Sequence, residues 1–279
     1  MLDAQHLKPT THSFLETVLK KTYCHHTMII PAFKSHYSLN KSILTLEKDH
    51  ASSGPKSILK LIKDHNLENS FLIEDNMSSF LEAYYNSKEC GVKLNFGLRL
   101  TFCADIDDKS ESSIKTESKY IIFLTESGGY EALSKIFSTA ASRGFYYLPR
   151  MDFKTLKQEW NDQLDIGVPF YDSFLFNNHM KMYNCLPPDF WSCPTFFWED
   201  NSTPFDKIYK SALSKHMDKN YSECELLRTQ SIYYEMKDDF LAYLTMRCIG
   251  KKSTLQKPNL DHMCSDEFCM ESYLEKIEE

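Results

Sequence analysis

Glycine is scarce, with only eight residues in a chain of 279. None of them forms G-x-G-x-x-G or G-x-x-x-x-G-K, so neither a dinucleotide-binding crossover nor a P-loop has support. Long apolar runs are missing too. The densest stretch, Tyr120-Ile-Ile-Phe-Leu124, falls far short of the about eighteen residues that span a bilayer. There is no excess of basic side chains: 32 Lys and Arg stand against 39 Asp and Glu, a formal net charge of −7. That balance argues against a chain whose main task is gripping phosphate backbones, though it leaves room for one local patch. The nine cysteines contain no C-x-x-C pair and read as reduced, mostly buried thiols. Residues 1–30 hold no apolar signal core, so a secretory leader is not expected and the expected location is cytoplasmic.

What is present is ample for a folded core. The apolar fraction of 42% and aromatic fraction of 14% exclude global disorder. The length suits one or two domains, and one α/β barrel would use all of it. Strands are expected at Met28–Phe33, Ser70–Ile73, Val92–Cys103 and Lys119–Thr125, more weakly at Thr195–Trp198 and Ile232–Tyr234. Helices are expected from Pro55 to His65, from Ser78 or Ser79 to Glu89 with Gly91 ending it, and from Gly129 to Gly144. In the last of these Leu133, Ile136, Phe137, Ala140 and Ala141 mark the apolar face. Another should run from Asp238 to Ile249, closed by Gly250, and an extra N-terminal helix from Ser13 to Lys21. The acidic stretch from Ala104 to Ser118 reads as a solvated loop. Alternating strands and helices favour a parallel-sheet α/β architecture.

Five stretches in order resemble one family. They are Ser35-His-Tyr-Ser-Leu39; Glu74-Asp-Asn-Met77 with Glu82-Ala-Tyr-Tyr85 and Gly91–Gly97; Leu124–Tyr130 with Leu133 and Arg143-Gly-Phe145; Thr229–Tyr234 with Asp239, Ala242 and Leu244; and Lys257–Leu260 with Ser265–Ser272. Together they are similar to the PHP (polymerase and histidinol phosphatase) domain of bacterial and phage family C replicative polymerases, the DNA polymerase III alpha subunits. Residues 157–190 match poorly. The resemblance implies a distorted (β/α)7 barrel over residues 28–272. An N-terminal extension would occupy 1–27, and a tail at 273–279 would lead towards a polymerase palm.

Active members of that family bind two or three metal ions at the barrel mouth for phosphoester hydrolysis, which needs converging His and carboxylate ligands. Here the family's opening His-x-His falls on Ala32 and Lys34, and its Asp-His pair on Ile73 and Glu74, or on Glu74 and Asp75 if the register slips by one. The carboxylate after the Gly97 strand falls on Arg99, and the late Asp-x-His on Ser231 and Tyr233. The implied metal pocket is degenerate, so no catalytic residue, metal or cofactor is expected. An ion pair of Lys34 or Arg99 with Glu74 or Asp75 is expected to replace the lost ions.

The remaining constellations have plainer readings. His262-x-Cys264 with Cys269 has zinc-ligand residue types, with Asp261 or Asp266 as a fourth, against a surface His and two buried thiols. His25-His26 beside Cys24 reads as a polar loop, and Glu74-Asp75 as a helix cap or a general base. Phe196-Phe-Trp198 reads as strand core before a base-stacking surface, and Lys207, Lys210 and Lys215 as a solvated helix face. The leading expectation is a non-catalytic domain that braces the rest of a replicative polymerase and docks a proofreading exonuclease, touching DNA only indirectly and no membrane. This chain, ending near the family's palm junction, is expected to add no nucleotides by itself. The alternative is a stand-alone metal-dependent phosphoesterase using Glu74, Asp75 and His36.

Overall fold

The structure, a computed structural model, describes residues 29–49, 54–256 and 265–278. The expected helix at Ser13–Lys21, the histidines at 25 and 26, and His262 and Cys264 lie outside those residues. Seven strands close into a barrel: β1 (Ile30–Phe33), β2 (Ser70–Glu74), β3 (Leu94–Phe102), β4 (Ser118–Leu124), β6 (Leu164–Val168), β7 (Thr195–Trp198) and β8 (Leu226–Ile232). The ring runs β1-β2-β3-β4-β6-β7-β8 and returns to β1. The short β5 (Arg150–Met151) pairs only with the far end of β3, where β3 has left β2.

Helices surround the barrel: α1 (Ile58–Asp64), α2 (Phe80–Cys90), α3 (Gly129–Ala141), α4 (Phe153–Glu159), α5 (Phe174–Met180), α6 (Asp206–Asn220), α7 (Phe240–Lys251) and α8 (Met270–Glu278). Several start where a side chain accepts a free N-terminal amide. Ser57 caps α1, Asp152 caps α4 and Ser173 caps α5. Gly91 ends α2 in the left-handed region at φ 68°, as its position in the sequence predicts. Gly250 does not end α7. The helix runs through it to Lys251, and Lys252 takes the left-handed cap position, while Gly250 packs against Asn40 with no room for a side chain. Leu133, Ile136 and Ala140 face the core from α3, Phe137 is half-buried, and Ala141 is exposed.

The expected all-parallel sheet needs one correction. β4 runs antiparallel to both β3 and β6. A parallel return requires a crossover, usually a helix packed on the sheet. The connection from Phe102 to Ser118 has no apolar spacing to pack one, and it forms only a short 3-10 turn at Glu111–Thr116. It is not simply solvated. Ile106 and Ser113 are buried, and the fully buried Arg150 donates to Asp108 O at 2.8 Å and Ser113 Oγ at 2.9 Å.

Inside the ring, Ile30, Phe71, Ile121, Phe123 and Phe197 form a separate apolar cluster. Two close approaches depend on glycine. A Cβ on Gly97 would lie 2.9 Å from Ile121 Cγ2, and one on Gly167 would lie 2.7 Å from Phe123 and Phe197 ring atoms. Between barrel and helices lie two larger apolar clusters, which include Phe196. Residues 273–278 belong to α8, with Tyr273 buried and its hydroxyl 3.3 Å from Ile29 O. The expected domain boundary at 272 therefore falls within a helix packed on the barrel. No helix among the described residues is long and apolar enough to cross a membrane.

Candidate functional site

Alternation along each strand decides what reaches the barrel interior. From β1, Ile30 and Ala32 point inward, and Lys34 follows at the mouth. From β2, Phe71 and Ile73 point inward, so the next inward position is Asp75, not Glu74. Arg99 comes from β3, Ser231 from β8 and Tyr233 from directly after β8. Because β4 is reversed, its first residues lie at the same end, and Lys119 sits opposite Thr101 of β3. Ala32, Lys34, Arg99, Ser231 and Tyr233 thus share one cavity, with Asp75 at its rim. Glu74 is the member of the expected set that does not join them.

The expected ion pair forms between Lys34 and Asp75. Lys34 Nζ lies 2.8 Å from Asp75 Oδ1, with the lysine side chain 4% exposed and the aspartate 25%. Burial works to raise the Asp75 pKa. The fields of Lys34, Lys41, Lys119 and Arg99 overcome it and hold the carboxyl well below the usual range. Arg99 takes a different partner from those expected, Asp172, at 3.2 Å, and also donates to Tyr171 O at 2.9 Å. Lys181 meets the other Asp172 oxygen at 2.6 Å. Glu74 turns outward under the loop after β1, where it accepts from Ser35 N at 2.9 Å and from Ser38 Oγ. Burial raises its pKa. Neither Glu74 nor Asp75 caps α2, whose N-cap position is Ser79.

Glu199, directly after β7, is a buried carboxylate of the same mouth. It accepts from Ser231 N at 3.0 Å, Ser231 Oγ at 2.9 Å and Asn201 Nδ2 at 2.8 Å, and burial raises its pKa. Asn201 continues through Gln230 to Lys276 of α8. The mouth is therefore tied to the last helix by hydrogen bonds.

Glu199, Asp172, Lys41 and Lys119 were not foreseen. Glu199 carried a usable signal, a carboxylate at the carboxyl end of a recognisable strand. Asp172 follows β6, which lacked a strong strand pattern. Lys119 reaches the mouth only because β4 is reversed, which no local pattern reveals. His36 is exposed with Nδ1 3.3 Å from Leu44 O, remote from any ligand role with Asp75. Cys269 is buried beside Ser272, with Sγ 3.2 Å from its hydroxyl. Phe196 and Phe197 are strand core, while Lys210 of α6 stacks on the half-buried Trp198 at 3.2 Å from the ring centre.

The carboxylates a cation could use at this end are Asp75, Asp172 and Glu199, and each is already engaged by the donors above. Among the described residues no three His, Cys, Asp or Glu side chains converge as a metal-holding group. Chemically the mouth offers ammonium, guanidinium and hydroxyl donors and, among the described residues, no imidazole base. No family model matches the chain, and no curated protein matches it in sequence.

Proposed function

We propose that this chain is a non-catalytic PHP-like domain, of the distorted (β/α)7 type, from a DNA polymerase III alpha-type replicative polymerase. In that reading it is a cytoplasmic structural and interaction module that braces the polymerase body and docks a proofreading exonuclease. One observation carries it. All but Glu74 of the positions that the resemblance aligns with metal ligands, scattered from Ala32 to Tyr233 in sequence, gather at one end of a closed seven-stranded barrel. They gather there as a methyl group, cations and hydroxyls, with Lys34 on Asp75 where an ion would bridge carboxylates. The reversed β4 departs from a strict (β/α)7 alternation and is a local variant in this reading.

The phosphoesterase alternative asks Glu74, Asp75 and His36 to share a metal. Glu74 faces the opposite side of β2 and is held by Ser35 and Ser38, which leaves no observation in its favour. The test is reconstitution. The purified chain should co-elute with a polymerase body or exonuclease subunit of the same replication system. A chain that elutes as a free monomer and captures neither would overturn the proposal.

A further inference from the structure

The amino ends of β7 and β8, at the end of the barrel opposite the mouth, bring two cysteines together. The strands pair in parallel with Phe196 beside Leu226, and Phe196 N donates to Glu225 O at 2.9 Å. Carried back two residues, that register sets Pro194 against Cys224, with Cys193 one step away. Ideal parallel strands, about 4.8 Å apart and rising about 3.3 Å per residue, hold such diagonal positions about 5.8 Å apart between Cα atoms. The commonest Cα separation across a disulfide is about 5.5–6 Å. The thiols also meet, because the Cys193 and Cys224 side chains share a hydrogen bond. Both line a cleft of about 480 Å³ between residues 188–194 and 220–224.

The two thiols differ in access. Cys193 is exposed and Cys224 half-buried, while the other cysteines among the described residues are half-buried or buried. Burial first, and then the hydrogen bond to Cys193, pushes the Cys224 thiol up to about 12, so the exposed Cys193 meets a solute first. The cleft has the volume of a small-molecule site and admits a reagent of tripeptide size. We propose that Cys193 and Cys224 form a reversible redox modification site, where a small-molecule disulfide of the glutathione class converts the two thiols into one intramolecular disulfide. The Cys193 thiolate attacks one sulfur of the reagent, whose S–S bond breaks and releases one thiolate. The Cys224 thiolate then attacks the Cys193 sulfur of this mixed disulfide and displaces the second. Two electrons pass from the chain to the reagent, and the two cysteine protons end on the released thiols. Excess reduced thiol drives both steps backwards. The new bond closes a loop that holds β7 and α6 and fastens the two strand entries to each other. The proposal stands on strand register, contact and access, independently of the family reading.

The whole native chain, first fully reduced, is equilibrated with oxidised and reduced glutathione, quenched in acid, alkylated and mapped by non-reducing peptide mass spectrometry. One cross-linked peptide pair joining Cys193 to Cys224 is expected, lighter by two hydrogens than the sum of its parts and lost on adding dithiothreitol. Because the bond removes chain entropy from the unfolded state, Tm should rise by several degrees over the reduced chain. Cys224→Ser should stop at the first step, with one glutathione held on Cys193 and no rise in Tm. Cys193→Ser, a change at an exposed position, should give neither the cross-link nor that adduct. A native chain that accumulates the Cys193 adduct without closing the bond would overturn the proposal. So would a cross-link from either residue to a different cysteine, or no oxidation of either thiol.

Discussion

Asp75 lies in the field of four cations but touches one of them, Lys34. Removing the two partners should therefore have unequal effects. Asp75→Asn leaves Lys34, Lys41, Lys119 and Arg99 repelling one another and should cost on the order of 3 kcal/mol. Lys34→Met leaves Asp75 with three cations still near and should cost about 1. Urea unfolding of both variants checks the order. The pH dependence follows from the sign of the shift. The folded Asp75 pKa is depressed below an unfolded value near about 3.9, so its stabilisation is complete above about pH 5 and is lost as pH falls through the folded pKa. The stability gap between the native chain and Asp75→Asn should shrink between about pH 5 and pH 3. Lys41 has the opposite consequence. Its folded pKa, brought down to about 8, lies below that of an unfolded lysine, near about 10.4, so the unfolded chain binds more protons between those values. Stability should rise over that window, and Lys41→Met should raise Tm at pH 7 and flatten the rise.

Among the elements, β4 decides which residues share the mouth, because its reversal carries Lys119 there and sends Phe123 deep into the barrel. Fully buried Arg150 holds the connection that permits the reversal, through Asp108 O, Ser113 Oγ and Gly144 O, with Glu117 at 3.4 Å. Arg150→Met leaves those acceptors without a donor and should cost about 3 kcal/mol. Limited proteolysis should find new cleavage confined to residues 104–117 before global unfolding. Most elements were legible in the sequence. Buried strands announced themselves through apolar runs such as Tyr120–Leu124, and α3 through Leu133, Ile136 and Ala140. Of β8 only its last residue, Ile232, falls in an expected strand, since its first residues, Leu226 to Arg228, are mixed in character and half-buried. Strand direction was harder to see. The absence of an apolar face in Ala104–Ser118 did contain the reason for the reversal, because no crossover helix can form there.

For the whole molecule, alternation on β1, β2, β3 and β8 explains why Ala32, Lys34, Asp75, Arg99, Ser231 and Tyr233 converge although they span two hundred residues of chain. The same parity excludes Glu74. The Lys34–Asp75 pair was foreseeable from charge replacement on adjacent strands. The Arg99–Asp172 pair was not, because it depends on the course of the chain after β6. Ion pairs hold this mouth, and in the proposed reading they stand where metals would. Elemental analysis of the chain purified without chelator tests it most directly. Zinc, manganese and iron should each be far below one equivalent, and unchanged by Asp75→Ala. One or more equivalents, lost in Asp75→Ala, would contradict the account.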